Sequence, residues 1–539
     1  MCQLDVIREC KKMKLLRRAL KTLPKTLDET YERVLSNIPD DYVEDVRRVL
    51  QYLICGFEPL DIQEVAEIVA IDTAEPYYHP EDRYSNPREL VSVCSGLVST
   101  RTSKRRGGVF ASPDFEIEEL RLAHFSVKEY LVSDRVSLGP ASRYKIDEVL
   151  CHGAMADFCI SYLLQYEEDI SDRQSVTTNS ILETQESGDE QLKTETVGHF
   201  QDLELCKSSP FAPYAVMFWS IHLRAAKLDD TTPLYAKSMK LFTNPTLLDR
   251  IVEYHRSWFE PREGRIFRDL GIVADSRAIN LIRSPLDASI SPVYYASLLG
   301  LDSLVSQLLE AGGSANSVGP SGTALAVAAR RGHKCTVQLL LEMGADVNGQ
   351  EVWEKGTVGT TILSRTALHS AIEARHENIA DVLLEHGAAV NTNHYGETPL
   401  QAAVLWGSTY LVRKLLDRGA DITVTGNLLG VSLAIACDMT EDAYVARLLL
   451  EKGADSSSIE GLRVLDRAIL NKNEPLQKLL VEYGVDVALV NFDYIRSSML
   501  KYQDKDESEV EDYIVRTKDM LAQVERRPKP LVAMPDRVE

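Results

Sequence analysis

Apolar residues keep two different rhythms along the 539 residues. In the C-terminal half a short alanine-rich stretch is followed by a leucine ridge, over and over. Ala326-Val327-Ala328-Ala329 precedes Val337, Leu339, Leu340 and Leu341, and further ridges stand at Val382-Leu383-Leu384, Leu415-Leu416, Leu448-Leu449-Leu450 and Leu479-Leu480. Each pair predicts two helices. Small alanines let the first helices stack closely, and each leucine ridge needs a neighbouring unit to cover it, so the units must pile into one solenoid. The N-terminal half has no such period. It shows single amphipathic helices, with Val43, Val46, Leu50, Leu53 and Ile54 on one face.

The punctuation of the C-terminal half repeats as well. Glu342-Met343-Gly344-Ala345-Asp346-Val347-Asn348 recurs around Gly387, Gly419, Gly453 and Gly484, with a looser copy around Gly312. The glycine spacings are 32, 43, 32, 34 and 31. Each glycine is placed to end the second helix in the left-handed region. Thr323-Ala324-Leu325, Thr366-Ala367-Leu368-His369 and Thr398-Pro399-Leu400 open three units, and looser openings stand at Ser291-Pro292, Val431 and Arg463. A period near 33 with a Thr-Pro-Leu-His opening resembles the ankyrin repeat. The resemblance implies six repeats over residues 291–491, with an insertion at 349–364 and His369 holding its turn by hydrogen bonds. Val510, Tyr513, Ile514, Thr517, Met520, Leu521 and Val524 keep helical spacing, so residues 492–527 are expected to cap the last ridge. Residues 528–539, with three prolines, are expected to be a disordered tail.

Residues 1–25 read as a basic amphipathic helix. Positions 10–25 hold seven Lys or Arg and no acid, with Leu15, Leu16, Leu20 and Leu23 as its apolar face. Thr26-x-x-Glu29 and Asp61-x-x-Glu64 are capping-box patterns that open helices. A stretch from Leu90 leads through a glycine-bearing segment to a strand at 119–125, and Ser126-x-x-Glu129 is placed to cap one more helix ending near Ser133. Three helices followed by a hairpin predict a winged-helix module over 26–135. Residues 136–290 read as a helical connector interrupted by a disordered acidic loop at 167–200, where nine acids meet two bases. Tyr214, Phe218, Trp219, Trp258 and Phe259 are expected in the core of that connector. The fold class is therefore mainly α: a winged-helix and helical N-terminal region, then an ankyrin-repeat α-solenoid.

The run from Leu20 to Leu35 resembles the segment that follows the NACHT nucleotide-binding domain in fungal NACHT–ankyrin proteins of the signal-transduction (STAND, NLR-like) class. Glu58-Pro59-Leu60, Cys94-Ser95-Gly96-Leu97-Val98 and the stretch from His124 to Leu131 resemble it too. That resemblance implies an architecture and no catalytic residue. The family's P-loop does not occur: Gly107-Gly108 and the segment from Gly356 to Thr361 both lack the following lysine. The expectation is a family member without its NTPase, whether naturally short or from an incomplete gene model.

Composition narrows the function. The net charge of −21 argues against a general binder of nucleic acid or of anionic membranes. Residues 26–100 alone hold 16 acids against 5 bases, which disfavours a DNA-reading winged helix. No apolar run is long enough to cross a bilayer, and the first residues do not form a signal peptide. Nine scattered cysteines without a Cys-x-x-Cys pair predict a reduced chain in the cytoplasm, with the nucleus not excluded. No zinc-protease, serine-hydrolase or paired acid–base pattern occurs, and Cys151-His152 stands without further ligands nearby in sequence. No catalytic, metal or cofactor residue is expected, and the partners are expected to be other proteins.

In such repeats the last residues of each inner helix and the hairpin tips face the groove. That frame selects Leu298, Arg330, Arg331, Glu373, Leu405, Trp406 and Met439 at the helix ends, beside Leu299, Ala374, Asp438, Leu470 and Asn471, with His394 and Tyr395 at a hairpin tip. Trp406 is the informative member, because the position is usually polar. Either it is an exposed hot spot, or it packs on its own hairpin or on the insertion. Two rival readings remain: a fragment of a NACHT-type signalling NTPase, and a winged-helix transcriptional regulator.

Overall fold

The computed structural model describes residues 26–71, 83–94, 96–105, 115–164, 210–226 and 232–258, and most of 290–525. In that last span 320–321, 351, 355–360, 364, 394–396, most of 425–442, 455–458 and 503–505 fall outside the description. The basic segment 1–25, the acidic loop 167–200, the tail 528–539 and the residues His394, Tyr395, Asp438 and Met439 lie outside the described residues. So do Phe259 and the side chain of Trp258. The chain divides into two compact units, Met1–Pro292 and Val293–Glu539.

The N-terminal unit begins with α1 (Leu27–Ser36), α2 (Val43–Cys55), α3 (Ile62–Val69) and the short α4 (Arg88–Val93). Local chemistry sets their starts. The Thr26 side chain accepts from the Glu29 amide at 3.1 Å. Asp61 accepts from the Gln63 amide at 2.8 Å while Glu64 accepts from the Asp61 amide at 2.7 Å, which satisfies donors that the first turn leaves open. The strands β1 (Val98–Arg105) and β2 (Phe115–Leu122) pair antiparallel, from Val98↔Leu122 to Arg105↔Phe115.

Two local expectations are corrected here. The second strand runs over 115–122 rather than 119–125, because its register is fixed by an eight-residue partner across the ladder. The helix after it, α5 (Phe125–Val132), is capped by His124 and not by Ser126. The His124 ring accepts from the Ser126 amide at 3.3 Å, which places Ser126 inside the first turn.

The helices α6 (Glu148–Leu164) and α7 (Ala212–Ala226) pack along each other, and α8 (Pro233–Thr243) joins them. Their core is built of large rings: Tyr162, Phe211, Tyr214, Phe218 and Trp219 are all buried. A further helix, α9 (Pro245–Trp258), follows.

The C-terminal unit alternates inner and outer helices. The inner series is α10 (Pro292–Leu299), α12 (Ala324–Arg331), α14 (Ala367–Glu373), α16 (Pro399–Leu405) and α19 (Ile459–Leu470). The outer series is α11 (Asp302–Glu310), α13 (Lys334–Glu342), α15 (Glu377–Glu385), α17 (Thr409–Asp417), α18 (Tyr444–Glu451) and α20 (Glu474–Glu482). Of the fifth inner segment, residues 433, 435 and 436 are described, and they are helical. Inner helix stacks on inner helix through buried alanines such as Ala328, Ala371 and Ala403, while Leu340, Leu383 and Leu415 fill the space between the layers. The sixth inner helix starts at Ile459, four residues before Arg463.

The punctuation acts as the sequence predicts. Gly312, Gly344, Gly387, Gly419, Gly453 and Gly484 all have positive φ, between 81° and 103°. Thr323, Thr366 and Thr398 each accept from the amide three residues on, at 3.1–3.3 Å. His369 Nε2 lies 3.3 Å from the Glu397 carbonyl oxygen, and Gln401, in the same frame, donates to the Val424 carbonyl at 2.9 Å. A rung of asparagines links the hairpins. Asn316, Asn348 and Asn391 accept from the amides of Asp346, Ala389 and Asp421, each at 2.8 Å. Part of the insertion is ordered as a ladder of two short strands, β5 (Val352–Glu354) against β6 (Thr361–Leu363), which follow the pair β3 (Val318–Gly319) and β4 (Gly322–Thr323). After the repeats come α21 (Phe492–Tyr502) and α22 (Glu507–Glu525). Val510, Ile514, Thr517, Leu521 and Val524 of α22 are buried, and α22 packs on α20.

Candidate functional site

Short helices with tight caps bring one residue set of each unit to the same place, the end of the inner helix. Trp406 is the C-cap of α16 and is 40% exposed, a large apolar ring left partly in water. Leu405 beside it is half-buried, so the exposed surface expected of the pair belongs to the tryptophan. The guanidinium carbon of Arg375 lies 5.6 Å from the centre of the Trp406 ring. Sequence reasoning passed over Arg375, which stands one place beyond the frame that selected Glu373 and Ala374. The signal was available: the equivalent residue is glycine in three other units, at Gly300, Gly332 and Gly407.

One unit back, Glu373 is already engaged. It forms an ion pair with Arg365, and the Arg330 guanidinium approaches it to 3.9 Å. With side-chain exposures of 20% for Arg330 and 13% for Glu373, this contact ties two neighbouring units together and leaves Glu373 little freedom to meet a partner. Arg331 and Leu298 are half-buried, and the Leu298 carbonyl oxygen is 3.2 Å from His333 Nε2. Leu299, Ala374 and Leu470 are also half-buried, while Asn471 is exposed. The structure therefore gathers Arg330, Glu373, Arg375 and Trp406 into contacts spanning three units, from Arg330 to Glu373 and from Arg375 to Trp406.

The N-terminal unit holds a second polar cluster, which the sequence did not reveal. His152 Nδ1 lies 2.9 Å from His222 Nδ1, and His222 Nε2 lies 2.7 Å from the Tyr214 hydroxyl. The Phe57 amide donates to that hydroxyl at 3.2 Å. All three bonds are satisfied with neutral imidazoles, either with Tyr214 donating to His222 Nε2 and His222 Nδ1 to His152 Nδ1, or with both bonds reversed. Two charged imidazoles would face each other proton to proton, and burial holds His222 down to about 3, with His152 also lowered by burial. Nearby, Glu67 has 1% of its side chain exposed. It accepts from the Tyr162 hydroxyl and the Phe211 amide, both at 2.7 Å, and pairs with Arg83. Burial raises its pKa, while those three donors pull it down.

Phe57, Phe211 and Phe218 stack around these groups, with the Phe57 and His222 rings 4.7 Å apart; Tyr214, His222 and Glu67 are buried and His152 is half-buried. The arrangement ties core helices together. Among the described residues, no group of three or more His, Cys, Asp and Glu side chains is placed to hold a metal ion. No helix of the described residues is long and apolar enough to cross a membrane.

On the hairpin, the ladder pairs Arg101 with Glu119 and Lys104 with Glu116. Ser103 donates to Glu119 at 2.6 Å, and Arg121 forms an ion pair with it. Opposed by desolvation, these donors still hold the Glu119 carboxyl below the usual range. Arg121 and Arg101 thus both stand against Glu119, whereas Arg105 is opposite Phe115 in the ladder.

Comparison with known proteins identifies the repeats. A family model for the ankyrin repeat matches residues 322–351, and one described as ankyrin repeats (3 copies) matches residues 355–426. The chain is also similar to the azaphilone pigments biosynthesis cluster protein L of Monascus ruber. The two are 31% identical over 337 residues, 61% of this chain and 61% of that protein. The chain thus spans under two thirds of the length of the curated relative it matches.

Proposed function

We propose that the C-terminal unit, an array of ankyrin repeats, is a non-enzymatic scaffold that binds another protein along the row of inner-helix ends. The observation that carries this reading is Trp406, a ring 40% exposed at a helix end and flanked by a cation. The N-terminal unit is read as a regulatory module. Its helices and hairpin fit a winged helix, and its sequence resembles the segment after a NACHT domain. Arg101 and Arg121, both set against Glu119, favour a structural role there over a DNA-reading one. A relative named for a pigment biosynthesis cluster makes enzymes of such a cluster the first partners to test.

The test is Trp406→Ala in the full chain. Partner capture is expected to fall at least about tenfold, as for an aromatic hot spot. Thermal stability should stay within about 1 kcal/mol, since the substitution removes a cation–π contact at a half-open site. A large fall in melting temperature with unchanged capture would make the tryptophan a packing residue and remove the reading.

A further inference from the structure

Five inner helices end in a residue with left-handed backbone. Gly300, Gly332 and Gly407 have φ of 66°, 81° and 73°, whereas Arg375 and Lys472 have 61° and 56°. Glycine takes this conformation freely, and a side chain takes it only under strain. Packing explains two of the glycines. A Cβ at Gly300 would come within 2.4 Å of the His333 ring of the following unit, and one at Gly332 within 2.7 Å of the His376 ring. After Arg375 the equivalent residue of the following unit is Ser408, which is shorter and leaves room. Room permits a side chain there but does not explain why a strained one is kept.

The two strained cations do different things. Lys472 Nζ lies 5.1 Å from the Tyr513 ring, and Tyr513 also donates to the Ile469 carbonyl at 2.8 Å, so this contact fastens the capping helix α22. Arg375 instead lies over Trp406, which remains 40% exposed. Among the described residues Arg375 forms no ion pair with a carboxylate; of the two acids two residues away in sequence, Glu373 is held by Arg365 and Arg330, and Glu377 accepts from the Ser408 hydroxyl. In a chain with net charge −21, the inner-helix ends of two consecutive units carry Arg330, Arg331 and Arg375 beside Glu373, with Glu377 opening the outer helix after Arg375.

We infer that Arg375, positioned by its left-handed backbone over Trp406, captures an acidic peptide segment of the partner protein, with an Asp or Glu beside an apolar residue. The guanidinium N–H groups take the carboxylate at two points, and the exposed part of the indole covers the adjacent apolar side chain. This rests on the reading of the inner-helix ends as a protein-binding row and adds the chemistry it selects.

The test uses the full chain and three labelled peptides that alternate Leu with Glu, with Gln or with Lys, read by fluorescence anisotropy at low and high salt. The Glu peptide is expected to bind, to weaken as salt rises, and to be preferred over the other two. Arg375→Gly installs the residue that three other units carry, so folding should be kept while affinity for the Glu peptide falls about tenfold or more. Lys472→Gly removes the other strained cation and should leave that affinity unchanged. Equal loss in both variants, no loss in Arg375→Gly, or failure of the Glu peptide to bind would overturn the inference. Preference for the Gln or Lys peptide, abolished by Trp406→Ala, would overturn it while leaving a protein-binding row of another chemistry. No peptide binding together with Trp406-independent partner capture would remove both.

Discussion

The two units bury polar groups in opposite ways. In the array, hydrogen bonds between units join residues 23 to 41 apart in sequence, and they recur: an asparagine rung and a reach to the next turn. In the N-terminal unit the equivalent bonds are singular and distant. Tyr162 and Glu67 are 95 residues apart, Phe211 and Glu67 144, and Phe57 and Tyr214 157. The array is a sum of neighbour contacts, each of which has a spare copy. The N-terminal unit depends on a few groups that hold several partners at once, so losing one strands the others.

The sharpest way to break this comparison is Glu67→Ala. It leaves the Tyr162 hydroxyl, the Phe211 amide and Arg83 without their acceptor, and the expected loss is about 3–5 kcal/mol. Hydrogen exchange should show faster opening of α6 and α7 and unchanged protection in α14–α16. Equal loosening of both would mean that the two units do not differ in this way.

The next effect is a pH slope confined to the N-terminal unit. His222 is held down to about 3 in the folded chain, and an unfolded histidine titrates near ~6.5. Below that value the unfolded state binds a proton that the folded state refuses. Stability is therefore fully present above pH ~6.5 and is lost as pH falls toward about 3, by about 2 kcal/mol between pH 7 and pH 5. His152, also lowered, adds in the same direction. His222→Gln keeps an acceptor for Tyr214 and a donor for His152 without titrating, so its denaturation midpoints should vary less over that window. An unchanged slope would show that the imidazole pair does not set it.

The smallest effect tests the array. At Gly344, φ is 84° and an added Cβ would meet nothing within 4 Å. Gly344→Ala should therefore cost only the left-handed strain, about 1–2 kcal/mol in a thermal melt. A much larger loss would show that the array lacks the redundancy its repeats suggest.

Legibility followed the same division. The six outer-helix glycines, the three threonine caps and the buried alanine and leucine positions were all readable, because each depends on residues within one unit. The errors came where a distant partner decides. The strand at 115–122 was misplaced because its register is set by β1, and the cap fell to His124 rather than Ser126. His152 looked isolated beside Cys151, since its partner His222 is 70 residues away. At the candidate site, Trp406 was visible as an unusual residue at its position. Its neighbour Arg375 was hidden because the contact crosses from one unit to the next.

The sequence alone determined that this chain carries a repeat solenoid, where each unit turns, and which residues fill it. A periodic pattern fixes local geometry, and local geometry is enough when every unit packs against a copy of itself. Tertiary structure decided which polar groups meet in the N-terminal core and which cation lies on Trp406. Those pairings bridge separate helices, and no local preference encodes a meeting that only the packed chain brings about.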